Sequence, residues 1–203
     1  MSAIKPSRSR RGVPREGGVY AVEFSLVALI FFVFVFGTIE LSRAMYLFNT
    51  LQEVTRRAAA AAAVSNPRDA TRRQQIREQA IFRTSPGELV AGAPITDQHV
   101  RIEYYALVAN AAGVTSMQEI PVSSLTCPVN TRRICLADPN DPLCVRFVRA
   151  RICDPAHPDT CDTDRVPYQT MTSLVSFTIG LPHASTIVPA DTLGYTPGMQ
   201  PCP

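Results

Sequence analysis

The chain has 203 residues, of which 46% are hydrophobic and 18% are charged. This length allows one ordinary domain with an appendage and excludes a multidomain enzyme, and the apolar content excludes a disordered tail. Residues 1–18 hold five basic side chains and one Glu, a net +4 within a chain total of +3, so residues 19–203 carry −1. Because no basic domain remains to hold a phosphate backbone, we expect no nucleic-acid partner.

An apolar stretch, residues 19–39, follows this basic leader and contains one charged residue, Glu23. As a helix it would be about 32 Å long, enough to cross a hydrocarbon core of about 30 Å. A cleaved secretory signal is the competing interpretation, but its apolar core is about 7–15 residues long and precedes a small-residue cleavage site. The longer stretch favours a membrane-anchoring helix, and the basic leader favours a cytoplasmic N-terminus with residues 40–203 outside the cytoplasm.

The helix is expected to continue beyond the membrane to about residue 65. Glu53 and Arg57 form a supportive i,i+4 pair, and Pro67 disfavours helical geometry at Asn66. The Ala-rich end suits close packing against a neighbour or, alternatively, exposure to solvent. The apolar positions that recur at three- and four-residue steps predict one packing stripe, which comprises Leu41, Ala44, Met45, Phe48, Leu51, Thr55, Ala58 and Ala62.

Glu23 is the residue of the apolar stretch that most needs a partner. A carboxylate at the centre of a membrane helix costs about 2.5–3.5 kcal/mol, and less near the interface. One interpretation places Glu23 at the headgroup level of an uncleaved span that begins at Val19. The other requires cleavage after Gly18, which would give Val19 a free ammonium group able to neutralise Glu23 in the same chain or in a neighbour.

The residues at the start of this helix carry a resemblance to a known family. Gly18 is followed by four residues and then Glu23 and Phe24, as in substrates of prepilin peptidases. The sequence AVEFSLVALIFFVFVFGTIELSRA, which spans residues 21–44, resembles the TadE-like pseudopilins of Tad (Flp-type) pilus systems. The resemblance covers about residues 17–60.

This resemblance implies a minor pilin or pseudopilin that helps to assemble or prime a Tad pilus. The implied processing residues are Gly18, Val19, Glu23 and Phe24, and the implied assembly residues are Glu23, Glu40 and Arg43. Glu40 can instead pair locally with Arg43. The implied partners are the bacterial inner membrane, the prepilin peptidase, a TadF-like pseudopilin, the Flp major pilin and pilus platform proteins. The head would be periplasmic or carried into the extracellular pilus.

Beyond the long helix, the sequence predicts a small head over residues 66–203. The expected fold class is therefore α+β, with a transmembrane helix that extends into a head made of a helix and an antiparallel sheet. Residues 68–83 predict a charged helix capped by Asp69 or Thr71. Residues 100–104 and 170–179 alternate apolar and polar residues, which predicts two strands of one sheet packed on the outer half of the long helix. The tail, residues 182–203, predicts an irregular segment.

A Cys-rich insert lies between the two predicted strands. The even number of cysteines on the expected non-cytoplasmic side predicts disulfides, with fifteen possible pairings. Residues 145–152 predict a strand about 30 Å long with Cys144 and Cys153 at its ends, too far apart to pair. Local loops favour the pairs Cys135–Cys144 and Cys153–Cys161, which leaves Cys127 and Cys202 to join the insert to the C-terminus.

The sequence offers no catalytic machinery, since G-x-S-x-G, H-E-x-x-H and phosphate-loop motifs are all absent. The cysteine spacing fits no zinc site, and Asp138, Asn140 and Asp141 lack the Gly and distal Glu of an EF-hand. We therefore expect no enzyme, no metal and no cofactor. The alternative to a pilin is an uncleaved, single-pass, membrane-anchored periplasmic module for binding or adhesion. A pseudopilin of type II secretion is a weaker alternative, against which residues 36–44 argue.

Overall fold

A computed structural model describes residues 17–109, 113–171 and 179–201. The chain forms a long helix followed by a small head that contains two helices and a four-stranded sheet, which confirms the expected α+β fold. The helices and strands, in chain order, are α1 (Gly17–Ala63), α2 (Ala70–Ala80), β1 (Val100–Ala109), β2 (Thr115–Ile120), α3 (Pro128–Ala137), β3 (Phe147–Ile152) and β4 (Ser185–Pro189).

Helix α1 has two halves with different surroundings. Residues 19–39 are exposed almost throughout, whereas from Glu40 onward one face of the helix is buried. Within the described residues, α1 is the one helix long and apolar enough to cross a membrane, and its most apolar window is not buried inside the molecule. A single-pass membrane protein fits these observations, with residues 40–63 serving as the central helix of the head.

The sheet is antiparallel throughout, in the order β2-β1-β3-β4. Tyr104 of β1 lies between Ile120 and Val148 of its two neighbouring strands. One face of the sheet packs on α1, where the hydroxyls of Thr55 and Thr186 lie 2.9 Å apart. The core between α1 and the sheet is built from residues that are each less than a tenth exposed. It includes Leu47, Leu51, Val54, Ala58, Val100, Tyr104, Val148 and Ala150.

The stripe predicted on the outer half of α1 is partly wrong. Its Ala positions, Leu51 and Thr55 are buried, but Leu41, Met45 and Phe48 are 60%, 59% and 39% exposed. The buried face is rotated toward Leu47 and Val54, both fully covered. The reason is that polar residues at the start of this face, Glu40 and Arg43, are themselves buried by the head.

Helix α2 returns along α1 and starts where the sequence indicated. The Asp69 side chain accepts a hydrogen bond from the Arg72 backbone N–H at 2.9 Å, so Asp69 is the N-cap. Ile76 and Ala80 pack into the core, whereas Phe82 is 46% exposed and lies under the guanidinium of Arg57. Phe82 therefore covers a charged side chain of α1 and is not a core residue.

The tail is not wholly irregular, because Ser185–Pro189 forms the edge strand β4 beside β3. Thr186 and Val188 face α1, so alternate tail residues contribute to packing. The second alternating run, predicted over residues 170–179, falls mostly on residues 172–178, which lie outside the described residues. Residues 190–193 then cross the end of α1, where the backbone N–H of Leu193 donates to the Ala63 carbonyl at 3.0 Å.

Candidate assembly site

The predicted processing residues lie in the first turns of α1. Val19 and Phe24 are 71% and 74% exposed, and a side chain in place of the Gly18 hydrogen would meet nothing within 4 Å. The segment is therefore a regular helix whose surface is free of contacts with the head. The hydroxyls of Ser25 and Thr38 donate to the Val22 and Phe34 carbonyls at 2.8 Å, so these polar side chains are satisfied within the helix.

Glu23 differs from these hydroxyl residues. It lies on the exposed surface of the apolar half, and none of the described residues forms a hydrogen bond or an ion pair with it. A carboxylate within such a surface is costly to place in hydrocarbon. A partner for Glu23 therefore has to come from beyond the described part of the chain, from lipid headgroups or from another polypeptide.

Glu40 and Arg43 lie where α1 enters the head, and both are buried, at 2% and 8% exposure. Arg43 Nη1 donates to Glu40 Oε1 at 3.3 Å, which confirms the local pair. Tyr168 also donates its hydroxyl to Glu40 Oε1, at 2.5 Å, and the backbone N–H of Met171 donates to Glu40 Oε2 at 3.2 Å. Burial and the bond to the Glu40 carboxylate both raise the pKa of Tyr168, so its hydroxyl remains a donor at neutral pH.

Arg43 also binds backbone carbonyls on two separate loops. Its Nε and Nη2 donate to the carbonyls of Ala91 and Ala93, each at 2.9 Å, and its Nη1 donates to the Gln169 carbonyl at 2.6 Å. The guanidinium has five N–H donors in a fixed plane, which suits it to hold several acceptors at once. We call this group of Glu40, Arg43, Tyr168 and the loop backbones they bind the junction cluster.

One comparison with known proteins gave a match, and it covers part of this helix. Residues 18–60 match the family model for TadE-like protein. The match confirms the resemblance seen in residues 21–44 and covers α1 from its first exposed turns to the last turn before Ala63. A search of curated proteins and a search of solved structures each found no match.

The part of α1 that matches the TadE-like model, which we call the TadE-like helix, contains all three predicted assembly residues, but they do not form one site. Glu23 is exposed near the N-terminal end of α1, whereas Glu40 and Arg43 make their hydrogen bonds within the head. Seventeen residues of helix separate Glu23 from Glu40, about 25 Å at 1.5 Å per residue. Glu23 is thus available to a neighbouring molecule, and the junction cluster joins the TadE-like helix to the rest of its own chain.

A second charged cluster lies on the face of the sheet that points away from the TadE-like helix. Glu103 is 2% exposed, and its Oε1 lies 2.7 Å from Arg101 Nε in an ion pair and accepts a hydrogen bond from Arg151 at 2.5 Å. Asp162 bridges Arg149 and Arg151 at 2.9 and 2.6 Å, and the hydrogen bond from Arg151, followed by that from Arg149, holds the pKa of Asp162 below its usual value. Sequence reasoning missed this cluster, although alternate charges in β1 and β3 were its visible signal.

The disulfides favoured by local loops are present beyond the TadE-like helix. Cys135 pairs with Cys144 and Cys153 pairs with Cys161, with Cα–Cα distances of 4.8 and 5.0 Å. Cys127 is also disulfide-bonded, and its predicted partner, Cys202, lies outside the described residues. Among the residues that the structure describes, no group of three His, Cys, Asp or Glu side chains could hold a metal ion.

Proposed function

We propose that this protein is a minor pilin or pseudopilin that helps to assemble or prime a Tad (Flp-type) pilus. The family match already suggests a Tad pilus-associated, pilin-like protein. The observation that carries the proposal is the division of α1. Residues 19–39 present an apolar surface with no contact from the head, while residues 40–63 of the same helix are the core of the head. Such a helix can leave the membrane and pack among neighbouring helices while the head remains folded.

The proposal gives Glu23 a role in joining subunits. A prepilin peptidase would cut after Gly18, which creates an ammonium group at Val19, four residues and about 6 Å along the helix from Glu23. In apolar surroundings an ammonium and a carboxylate are far less costly together than apart. An incoming subunit would therefore bind with its ammonium group against the Glu23 carboxylate of a neighbour. This sets the axial stagger between the two helices.

The implied topology and partners follow from the same proposal. The basic leader would remain in the cytoplasm until cleavage, and the disulfide-bonded head would lie in the periplasm. The protein would meet the prepilin peptidase first, then a TadF-like pseudopilin, the Flp major pilin and the platform proteins. No step requires catalysis by this chain, consistent with a family that is structural rather than catalytic.

The first experiment is N-terminal sequencing and intact mass of the protein from membranes of cells with and without the peptidase. The proposal requires a peptidase-dependent start at Val19. A start at Met1 or Ser2 in both strains would contradict it.

The second experiment separates cleavage from assembly by changing Glu23→Ala. We expect the variant to be cleaved normally and to yield no pili, because the carboxylate is lost while the cleavage site is kept. Glu53→Ala is the matched control. Glu53 is a glutamate on the same helix whose side chain is 33% exposed and pairs with Arg56 and Arg57. Normal piliation by the Glu23→Ala variant, measured by counting pili in electron micrographs, would refute the role of Glu23.

The second candidate function, an uncleaved anchored binding module, is favoured by one observation. A cavity of about 240 Å³ lies between α3 and residues 190–193, beside the C-terminal end of α1, where Asp191 and Leu193 bond to the Ala63 carbonyl. Arg132, Arg146 and Asp191 contribute to its lining, so it offers charged groups to a small ligand. An intact leader in the mature protein, together with ligand binding at this cavity, would support this function in place of the first.

A further inference from the structure

Two loops of the head are fastened to α1 just beyond the apolar half. Residues 88–96 form a loop closed by a bridge between Glu88 and Thr96, and the carbonyls of Ala91 and Ala93 accept from Arg43. The Val90 carbonyl of the same loop accepts from the Tyr46 hydroxyl at 3.3 Å. In the second loop, the backbone N–H of Met171 donates to Glu40. The junction cluster therefore fixes the height of both loops along the helix.

The height of the loops can be worked out from the rise of α1. If the apolar half ends at Ile39, then Glu40 lies about 1.5 Å beyond it, Arg43 about 6 Å and Tyr46 about 10 Å. The headgroup layer on each side of a bilayer is about 5–8 Å thick. Side chains of an α-helix also tilt toward its N-terminus, which on α1 is the direction of the apolar half. Both loops therefore lie at the depth of the lipid headgroups.

Most of the large side chains exposed at this height are apolar, and two polar residues, Ser42 and Gln169, are exposed beside them. Val90 is 64% exposed and Met171 is 67% exposed, while Leu41 and Met45 on the free face of α1 are 60% and 59% exposed. Tyr46 is 42% exposed, with its hydroxyl satisfied by the loop. We call these five residues the collar. Its members come from two sides of α1, namely the free helix face and the loops on the head side.

The loop that carries Val90 directs this side chain outward while burying its neighbour. Leu89 is 2% exposed and belongs to the core, and Ala91 has a left-handed backbone with φ of 54°. A non-glycine residue in this region is uncommon and needs support from its surroundings, which Arg43 supplies through the Ala91 carbonyl. The fold thus holds an apolar side chain out of its own core at this position.

We propose that the collar contacts the lipid bilayer directly, so that the base of the head lies in the headgroup layer and not above it. The collar adjoins the exposed apolar surface of residues 19–39 through Ile39 and Leu41, which are 51% and 60% exposed, and this continuity is the argument for lipid as its occupant. Tyrosine and long apolar side chains are the residue types that favour the membrane interface. The inference needs only that residues 19–39 span the bilayer, and it is independent of cleavage, of Glu23 and of pilus assembly.

The test uses the absence of tryptophan from this chain. Val90→Trp places one indole in the collar of the full-length protein. Leu136→Trp is the matched control, because Leu136 is 76% exposed on α3. Helix α3 shares a cavity with residues 190–193, which bond to Ala63 at the C-terminal end of α1, so it lies away from the collar. Each variant is reconstituted into phosphatidylcholine vesicles whose acyl chains are brominated near the headgroup or are unbrominated. Both leaflets are equivalent, so the orientation of insertion does not matter.

We expect bromine to lower the emission of the Val90→Trp variant roughly two-fold, because an interfacial side chain lies about 5–10 Å deep at the headgroup boundary. The Leu136→Trp variant should be unaffected by bromine and open to aqueous acrylamide. Equal quenching by bromine and equal access to acrylamide in the two variants would overturn the proposal. Shielding from acrylamide without quenching by bromine would also overturn it and would identify a second protein copy as the occupant. Met171→Trp is the second reporter, and it decides the question if the Val90→Trp variant does not fold.

Discussion

Arg43→Ala is expected to destabilise the head strongly, because Arg43 is the main donor of the junction cluster. The change removes the cation beside Glu40, which is 2% exposed, and also the donors to the carbonyls of Ala91, Ala93 and Gln169. The head keeps its sheet and core, so the loss measures how much the junction cluster contributes.

The expected loss of stability follows from the groups that lose their partner, the Glu40 carboxylate and three backbone carbonyls. Removing one partner of a buried ion pair costs about 3–5 kcal/mol, since the remaining charge is uncompensated. Water that enters the space vacated by Arg43 can satisfy some of the carbonyls, so their separate costs of about 1–3 kcal/mol each are not added in full. We therefore expect a loss of about 3–5 kcal/mol, a large share of the 5–15 kcal/mol typical of a folded domain.

The measurement is urea unfolding of the full-length protein in detergent micelles, followed by near-ultraviolet circular dichroism of the tyrosines. Arg56→Ala is the matched control, because Arg56 pairs with Glu53 on the same helix with a side chain 72% exposed, and we expect no measurable change from it. Replacing the pair together, with Glu40→Gln and Arg43→Met, should recover part of the loss because no unpaired charge remains. If Arg43→Ala unfolds at the same urea concentration as Arg56→Ala, the junction cluster does not hold the head to the helix.

Two further predictions concern pH and packing. Burial lowers the pKa of His99 from its usual 6.5, so the unfolded chain binds a proton more readily than the folded one. The stability of the head should therefore fall as the pH drops below 6.5. The urea midpoint should fall between pH 7.5 and pH 5.5, and it should fall less in the His99→Gln variant; an equal shift in both proteins would contradict this. Leu51→Ala should cost the head about 2–5 kcal/mol because Leu51 is fully buried. Leu29→Ala, at a position 64% exposed on the same helix, is the control, and equal unfolding midpoints in micelles would refute the division of α1.

The sequence predicted the elements whose pattern is local. The apolar run of α1, the Asp69 cap of α2 and the alternation in β1 depend on neighbouring residues, and all three are present. The two local disulfides followed from short loops with flanking turn residues. These features could be predicted because the residues that produce each of them lie close together in the chain.

The features that sequence reasoning missed depend on distant contacts. β4 was assigned to an irregular tail because the short segment Ser185–Pro189 becomes a strand only by pairing with β3. Helix periodicity showed that α1 has an apolar stripe but not which face the head would cover. That choice is made by Glu40 and Arg43, whose hydrogen-bond partners in the loops are 48 to 131 positions away in sequence. The charged cluster around Glu103 likewise requires the register of β1 against β3.

Because α1 is continuous, it fixes the angle around its axis between the Glu23 side chain and the head. A helix turns by about 100° per residue, so the 17 positions between Glu23 and Glu40 correspond to a rotation that leaves their side chains about 100° apart around the axis. With no break between Gly17 and Ala63, this phase cannot change by hinge motion within the helix. A molecule that binds Glu23 therefore also sets the rotational orientation of the head about the axis of α1. It determines which way the sheet, the disulfide loops and the cavity beside α3 face.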